Sequence, residues 1–145
     1  MSNSDLPIRV VFFQVRDAKS KLAKITEMAR LHFEKKDPFL IFAEDIKAQS
    51  FVDELLWKFP EESFLPHLAS DDSTKELVVV TKSKKNVNTA KAAFNLCPTP
   101  LLIDGSFRII YEFEDLTSPA KKELSGQRFD AYKKAHYLIE AVFDR

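Results

Sequence analysis

Glycine is almost missing from this chain: among 145 residues only Gly105 and Gly126 occur. A Walker loop, a dinucleotide fingerprint or the elbow of a serine hydrolase needs closely spaced glycines so that the backbone can approach its ligand. None of these can be built here. Cysteine is scarcer still. The lone Cys97 rules out an internal disulfide and fits a reducing compartment. No hydrophobic run approaches the length of a membrane span, and the opening MSNSDLP has neither the positive start nor the apolar core of a secretion signal, so a cytoplasmic protein is expected. Net charge is absent as well. With 22 basic and 22 acidic residues, any electrostatic partner must be met by a local patch rather than by bulk attraction.

What is present is the material of one α/β domain spanning residues 1–145, with 45% hydrophobic and 30% charged residues. The run IRVVFFQV (8–15) is apolar throughout, as a strand covered on both faces must be. Asp17 or Ser20 can cap a following helix with Leu22, Ile25, Ala29 and His32 on one stripe, ending near Lys35 and Lys36 before Pro38. FLIFA (39–43) repeats the strand pattern, and Asp45 caps a second helix. ELVVVT (76–81), AAFNLC (92–97) and FRIIYEF (107–113) read as further strands, with a turn at Asp104 and Gly105. LASDDSTK (68–75) reads as a polar turn. Ser118 and Pro119 open a last helix with Leu124, Arg128, Ala131, Tyr132 and Ala135 inward, and YLIEAVFDR packs back as a final strand or turn. This alternation predicts a doubly wound fold: a mostly parallel twisted sheet with helices on both faces.

The second helix carries the clearest anomaly. Ala48, Phe51, Val52, Leu55, Leu56 and Phe59 form its predicted inner stripe, but Trp57 projects from the other side, in line with Ile46, Ser50 and Asp53. Pro60 stops the helix, and Phe64, Leu65, Pro66 and His67 follow at once. Trp57, Phe64 and Pro66 either form a protein-binding patch or cap the helix end and close the core. His67 has no second ligand at metal spacing and reads as a hydrogen-bonded structural histidine. Cys97 reads as a small buried hydrophobe. The carboxylates Glu44, Asp45, Asp53, Glu54, Glu61 and Glu62 are explained as caps and solvated charges. The loop KSKKNVNTAK (82–91) is basic without interleaved aromatics. No catalytic, metal or cofactor site emerges.

The stretch FLIFAEDIKAQSFVDELLWKFPEESFLPH resembles the chi subunit of bacterial DNA polymerase III. It has an apolar strand ending in an acidic turn, a D-E-x-L-W helix (Asp53, Glu54, Leu56, Trp57) and an S-F-x-P-H segment (Ser63, Phe64, Pro66, His67). AAFNLCPTP, FRIIYEF and RFDAYKK continue the likeness. The resemblance implies a mononucleotide-binding-like fold without phosphate binding and a non-catalytic accessory role in replication. It also implies an aromatic surface at Trp57, Phe64 and Pro66 for the psi subunit, or in some bacteria for a repair helicase. A separate surface would hold the acidic C-terminal tail of single-stranded DNA-binding protein. At the positions matching the family's tail-gripping cations this chain has Gly126 and Asp130, which leaves Arg128, Phe129, Lys133 and Arg145, with Lys121 and Lys122 as a neighbouring patch. The rival readings are a small nucleotide-binding or hydrolytic enzyme and a direct single-stranded DNA-binding module using the lysine loop.

Overall fold

In the computed structural model, residues 6–59, 64–103 and 107–143 are described. In chain order they form β1 (Arg9–Val15), α1 (Ala18–Glu34), β2 (Phe39–Phe42), α2 (Ile46–Lys58), β3 (Leu68–Ala69), β4 (Val78–Thr81), β5 (Ala92–Asn95), β6 (Ile109–Asp115), α3 (Pro119–Lys134) and β7 (Leu138–Val142). The strands make one seven-stranded sheet in the order β3-β4-β2-β5-β6-β1-β7, and every pairing in it is parallel. Apolar, β-branched sequence explains the middle of this sheet. In β2 no residue is more than 1% exposed, which requires cover on both faces.

That cover comes from helices on opposite sides. Ile25, Met28 and Ala29 of α1 join Val52, Leu55 and Leu56 of α2 against Phe39, Ile41, Val78 and Phe94. Tyr132 of α3 packs with Phe12, Leu40, Phe42 and Ile110 on the other face, where Val87, Leu101 and Phe107 complete the core. The helix starts are set by short polar side chains. Asp17 accepts from the Ser20 amide at 2.7 Å, Asp45 from Ala48 at 2.9 Å and Ser118 from Lys121 at 3.2 Å, with Pro119 in the first turn.

Four elements depart from the sequence reading. The polar 68–75 segment contains β3, whose two exposed residues are too few to show alternation. β6 runs to Asp115 rather than ending at Phe113, because it pairs residue for residue with β1 up to Val15. Phe51 is 55% exposed instead of buried: α2 is turned to bury Gln49, whose amide donates to the Val80 carbonyl at 2.9 Å and to Asp71 at 3.2 Å. Along α3 the buried residues are Ser125, Arg128 and Tyr132, while Leu124 and Ala135 are exposed. The expected turn at Asp104 and Gly105 lies outside the described residues, as does Pro60.

α3 is fastened to the sheet by a buried polar network. Glu112 of β6 is fully buried and accepts from Arg128 Nε at 2.9 Å, Tyr132 OH at 2.6 Å and Asn95 Nδ2 at 2.7 Å. Burial pushes its carboxyl up to about 7 against the pull of those donors. The rest of the Arg128 guanidinium donates to the Pro98 carbonyl at 3.2 Å and the Phe113 carbonyl at 3.1 Å. Arg128→Met strands a buried carboxylate without its cation and is expected to lower the unfolding free energy by about 3 to 5 kcal/mol, while adding Glu112→Leu recovers much of the loss. Urea unfolding of the three proteins measures this, and equal stability in all three would contradict it.

A second clasp holds the chain after β3. Asp71 accepts from the side chain and amide of Lys82 and from Thr81 and Gln49, and the Lys82 bonds hold its carboxyl down at about 2, below the usual carboxylate range. A depressed carboxylate stabilises the fold fully above its unfolded pKa and loses that contribution as pH falls through the folded value. Asp71→Asn should therefore melt below the native protein near neutral pH, with the gap closing between about pH 4 and pH 2. Thermal melts across that range test it, and a gap independent of pH would remove the charge from the account.

Candidate functional site

The end of α2 is closed by chain returning to it. The Phe59 amide donates to the Leu55 carbonyl at 2.8 Å, and beyond it the Phe64 amide reaches the Trp57 carbonyl at 3.3 Å and the Leu65 amide the Leu56 carbonyl at 3.2 Å. Carbonyls of the last turn, which a helix cannot satisfy for itself, thus receive donors from segment 64–65. Leu65 is the anchor, 2% exposed and packed in the same core cluster as Leu56.

His67 ties the segment down a second time. Its side chain is fully buried; Nδ1 lies 2.6 Å from the Leu65 carbonyl, and Nε2 lies 2.8 Å from the Asp53 carboxylate and 3.0 Å from the Asp53 carbonyl. Trp57 lies over the imidazole with ring centroids 4.4 Å apart, which fixes the indole while leaving the residue 41% exposed. Phe64 is held at φ 45°, a left-handed conformation rare for an aromatic residue, and is 64% exposed. Pro66 is exposed beside it. The structure thus brings the three aromatic and proline residues singled out in the sequence into one outward-facing cluster built around a buried histidine and leucine.

The residues expected to meet an acidic tail are placed differently. Arg128 does not present a free guanidinium: it is 7% exposed and bonded to Glu112, Pro98, Phe113 and Ser125. Phe129 is 40% exposed, with one side of its ring against Phe12 at 5.7 Å. Lys133 is exposed on the same helix as exposed Asp130, and Arg145 lies outside the described residues.

Sequence reasoning missed a crevice of about 330 Å³ where the carboxyl ends of β2, β5 and β6 meet the N-terminal parts of α1 and α3; Lys21, Glu44, Cys97, Lys121 and Leu124 line it together with Arg128, one of the residues singled out in the sequence. It sits where α1 leads one way across the sheet and α3 the other, the usual place for a cleft in an open α/β sheet. Its lining comes from segments far apart in the chain, so no local motif announces it.

Burial pushes the Cys97 thiol up, opposed by Lys84, whose Nζ lies 3.5 Å away. Among the described residues, no three His, Cys, Asp or Glu side chains are grouped to hold a metal, and no helix is long and apolar enough to cross a membrane. A family model described as DNA polymerase III chi subunit, HolC, matches residues 8–140. Comparison with curated proteins finds no match.

Neighbouring residues in the cluster should respond to substitution with opposite signs. Phe64→Asn places a residue that tolerates the left-handed region in an exposed position, and stability is expected to hold or rise by about 0.5 to 1 kcal/mol. Leu65→Ala empties a core site and should cost about 2 to 5 kcal/mol. Denaturant unfolding of both variants decides the matter; a large loss from Phe64→Asn would mean that the phenyl ring supports the fold.

Proposed function

The chain belongs to the DNA polymerase III chi subunit family, an accessory component of the replicase, and we propose that it works there in the cytoplasm as a two-site connector with no chemistry of its own. One site is the cluster of Trp57, Phe64 and Pro66, which docks the psi subunit or a repair helicase. The other, on the side of α3, holds the acidic C-terminal tail of single-stranded DNA-binding protein. Contact with nucleic acid is then indirect.

The observation that carries this reading is the state of Phe64. A phenyl ring in a costly backbone conformation, pushed into solvent by a buried neighbour and flanked by a fixed indole, contributes little to the fold that displays it. Large rigid aromatics of this kind are typical anchors of protein interfaces. For the tail, the exposed cations Lys121, Lys122 and Lys133 of α3 supply charge and Phe129 an apolar surface. Arg128 serves by locking that helix in place.

Purified chain mixed with the psi subunit or the helicase of the same organism should co-elute from a sizing column. Trp57→Ala and Phe64→Asn should each weaken capture by at least about tenfold, the loss of one interface hot spot, while melting normally. Capture unchanged by both substitutions would show that the docking surface lies elsewhere.

A further inference from the structure

The sheet ends at β7, and among the described residues no strand lies beyond it. The Leu138 amide bonds the Ile8 carbonyl at 2.9 Å, so by alternation Leu138, Glu140 and Val142 turn their backbone groups toward β1 while Ile139 and Ala141 turn theirs outward. A row of outward amides and carbonyls is a template for another strand. Edges that avoid such pairing carry lysine or proline, and LIEAV has neither. Its one charge, Glu140, is met by a bidentate bond from Arg9, at 3.0 Å to each carboxylate oxygen. Leu138, Val142 and Phe143 are all exposed, so this edge is apolar as well as unpaired.

An identical strand brought up antiparallel about a two-fold axis matches this edge, provided that Ile139 and Ala141 of each copy form the hydrogen-bonded pairs. With Ile139 on the axis, Ala141 would need the Tyr137 amide, which the Tyr132 carbonyl already holds at 3.1 Å. With Glu140 on the axis, two carboxylates stand directly opposite each other. With Ala141 on the axis, the two Ala141 residues exchange both bonds, Ile139 lies beside Phe143 of the partner subunit, and Glu140 lies beside Val142 of the partner subunit. This last register also suits the charge. Val142 lines a small pocket with Phe13 and Lys24, and Lys24, bonded to Glu27 at 2.8 Å, keeps ammonium donors for an incoming carboxylate. We propose that a second copy of this chain pairs with β7, antiparallel about an axis through Ala141, and doubles the seven-stranded sheet into one continuous sheet. The Trp57 cluster lies beside β3 at the far edge, so the pair displays it at both ends.

Sedimentation equilibrium of the full chain from micromolar to near-millimolar concentration should show a monomer–dimer equilibrium. Ala141→Pro removes an outward amide and leaves the bonds to β1, so it should weaken self-association by at least about tenfold while the melt is unchanged. Phe143→Lys, at an exposed position just past the strand, should weaken it as well and does not touch the ladder. The register is read by cross-linking. Ala141→Cys should oxidise to a covalent dimer, with Cys97 buried and silent, whereas Glu140→Cys should not, because its counterpart in the other copy lies about 8 Å away on the diagonal. A chain that stays monomeric throughout, or a dimer untouched by both Ala141→Pro and Phe143→Lys, would overturn the pairing at β7. A covalent link at position 140 and none at 141 would overturn the axis through Ala141.

Discussion

The carboxylate of Glu112 is where the interior of this protein is decided. It is shared by Asn95 at the end of β5 and by Arg128 and Tyr132 of α3, and each of those partners reaches one step further. Arg128 donates to the Pro98 carbonyl, and the Tyr132 hydroxyl accepts the Leu101 amide at 2.8 Å. One buried charge therefore fixes the tilt of α3 and the course of the loop after β5, and between them these form much of the crevice wall. A hydrophobic contact of equal area would hold the helix as firmly, yet would let it slide. Directional bonds from a fully buried acceptor do not.

A different constraint governs the other surface. Leu65 must be buried and its amide must reach the Leu56 carbonyl, and satisfying both leaves Phe64 in the left-handed region with its ring in water. His67 removes the remaining freedom by bonding the Leu65 and Asp53 carbonyls and the Asp53 carboxylate, and its ring is the platform for Trp57. The backbone beneath the aromatic cluster is thus held from two sides, and the indole has a fixed neighbour. Rigid aromatics lose little entropy on docking, which makes a small exposed patch an effective anchor.

The contrast between these two regions explains what sequence could and could not reveal. Strands and helices with apolar inner faces were legible, as were the caps at Asp17, Asp45 and Ser118, because hydropathy and short polar side chains report them directly. Trp57 stood out for the same reason, as an apolar residue off its stripe. Hydropathy fails where a polar residue is buried by having its bonds met. Gln49 displaced Phe51 from the core, and Ser125 is buried where Leu124 was expected, since no periodicity marks a side chain whose partners lie on other elements. Arg128 falls on the inward stripe of its helix, yet its internal acid was not legible, because Glu112 is an ordinary member of its strand until Asn95 and Tyr132 are brought to it. The crevice was invisible on the same ground.

Placement of the two surfaces bears on how a connector works. Trp57 and Phe64 lie just before β3, at one edge of the sheet, while the crevice opens at β5 and β6. β6 is four strand spacings from β3, roughly 19 Å at about 4.8 Å per spacing. The intervening sheet is a packed body of continuously paired strands. Neither contact needs to alter the other. On the proposed reading, once one partner is docked the second is met at the effective concentration that a fixed short span imposes, so two modest affinities would multiply into a durable link. The low glycine content, which denies the fold a phosphate loop, costs this arrangement nothing. The proposed connector needs a stiff sheet between its surfaces, and the packed strands and the fastened α3 are consistent with that need.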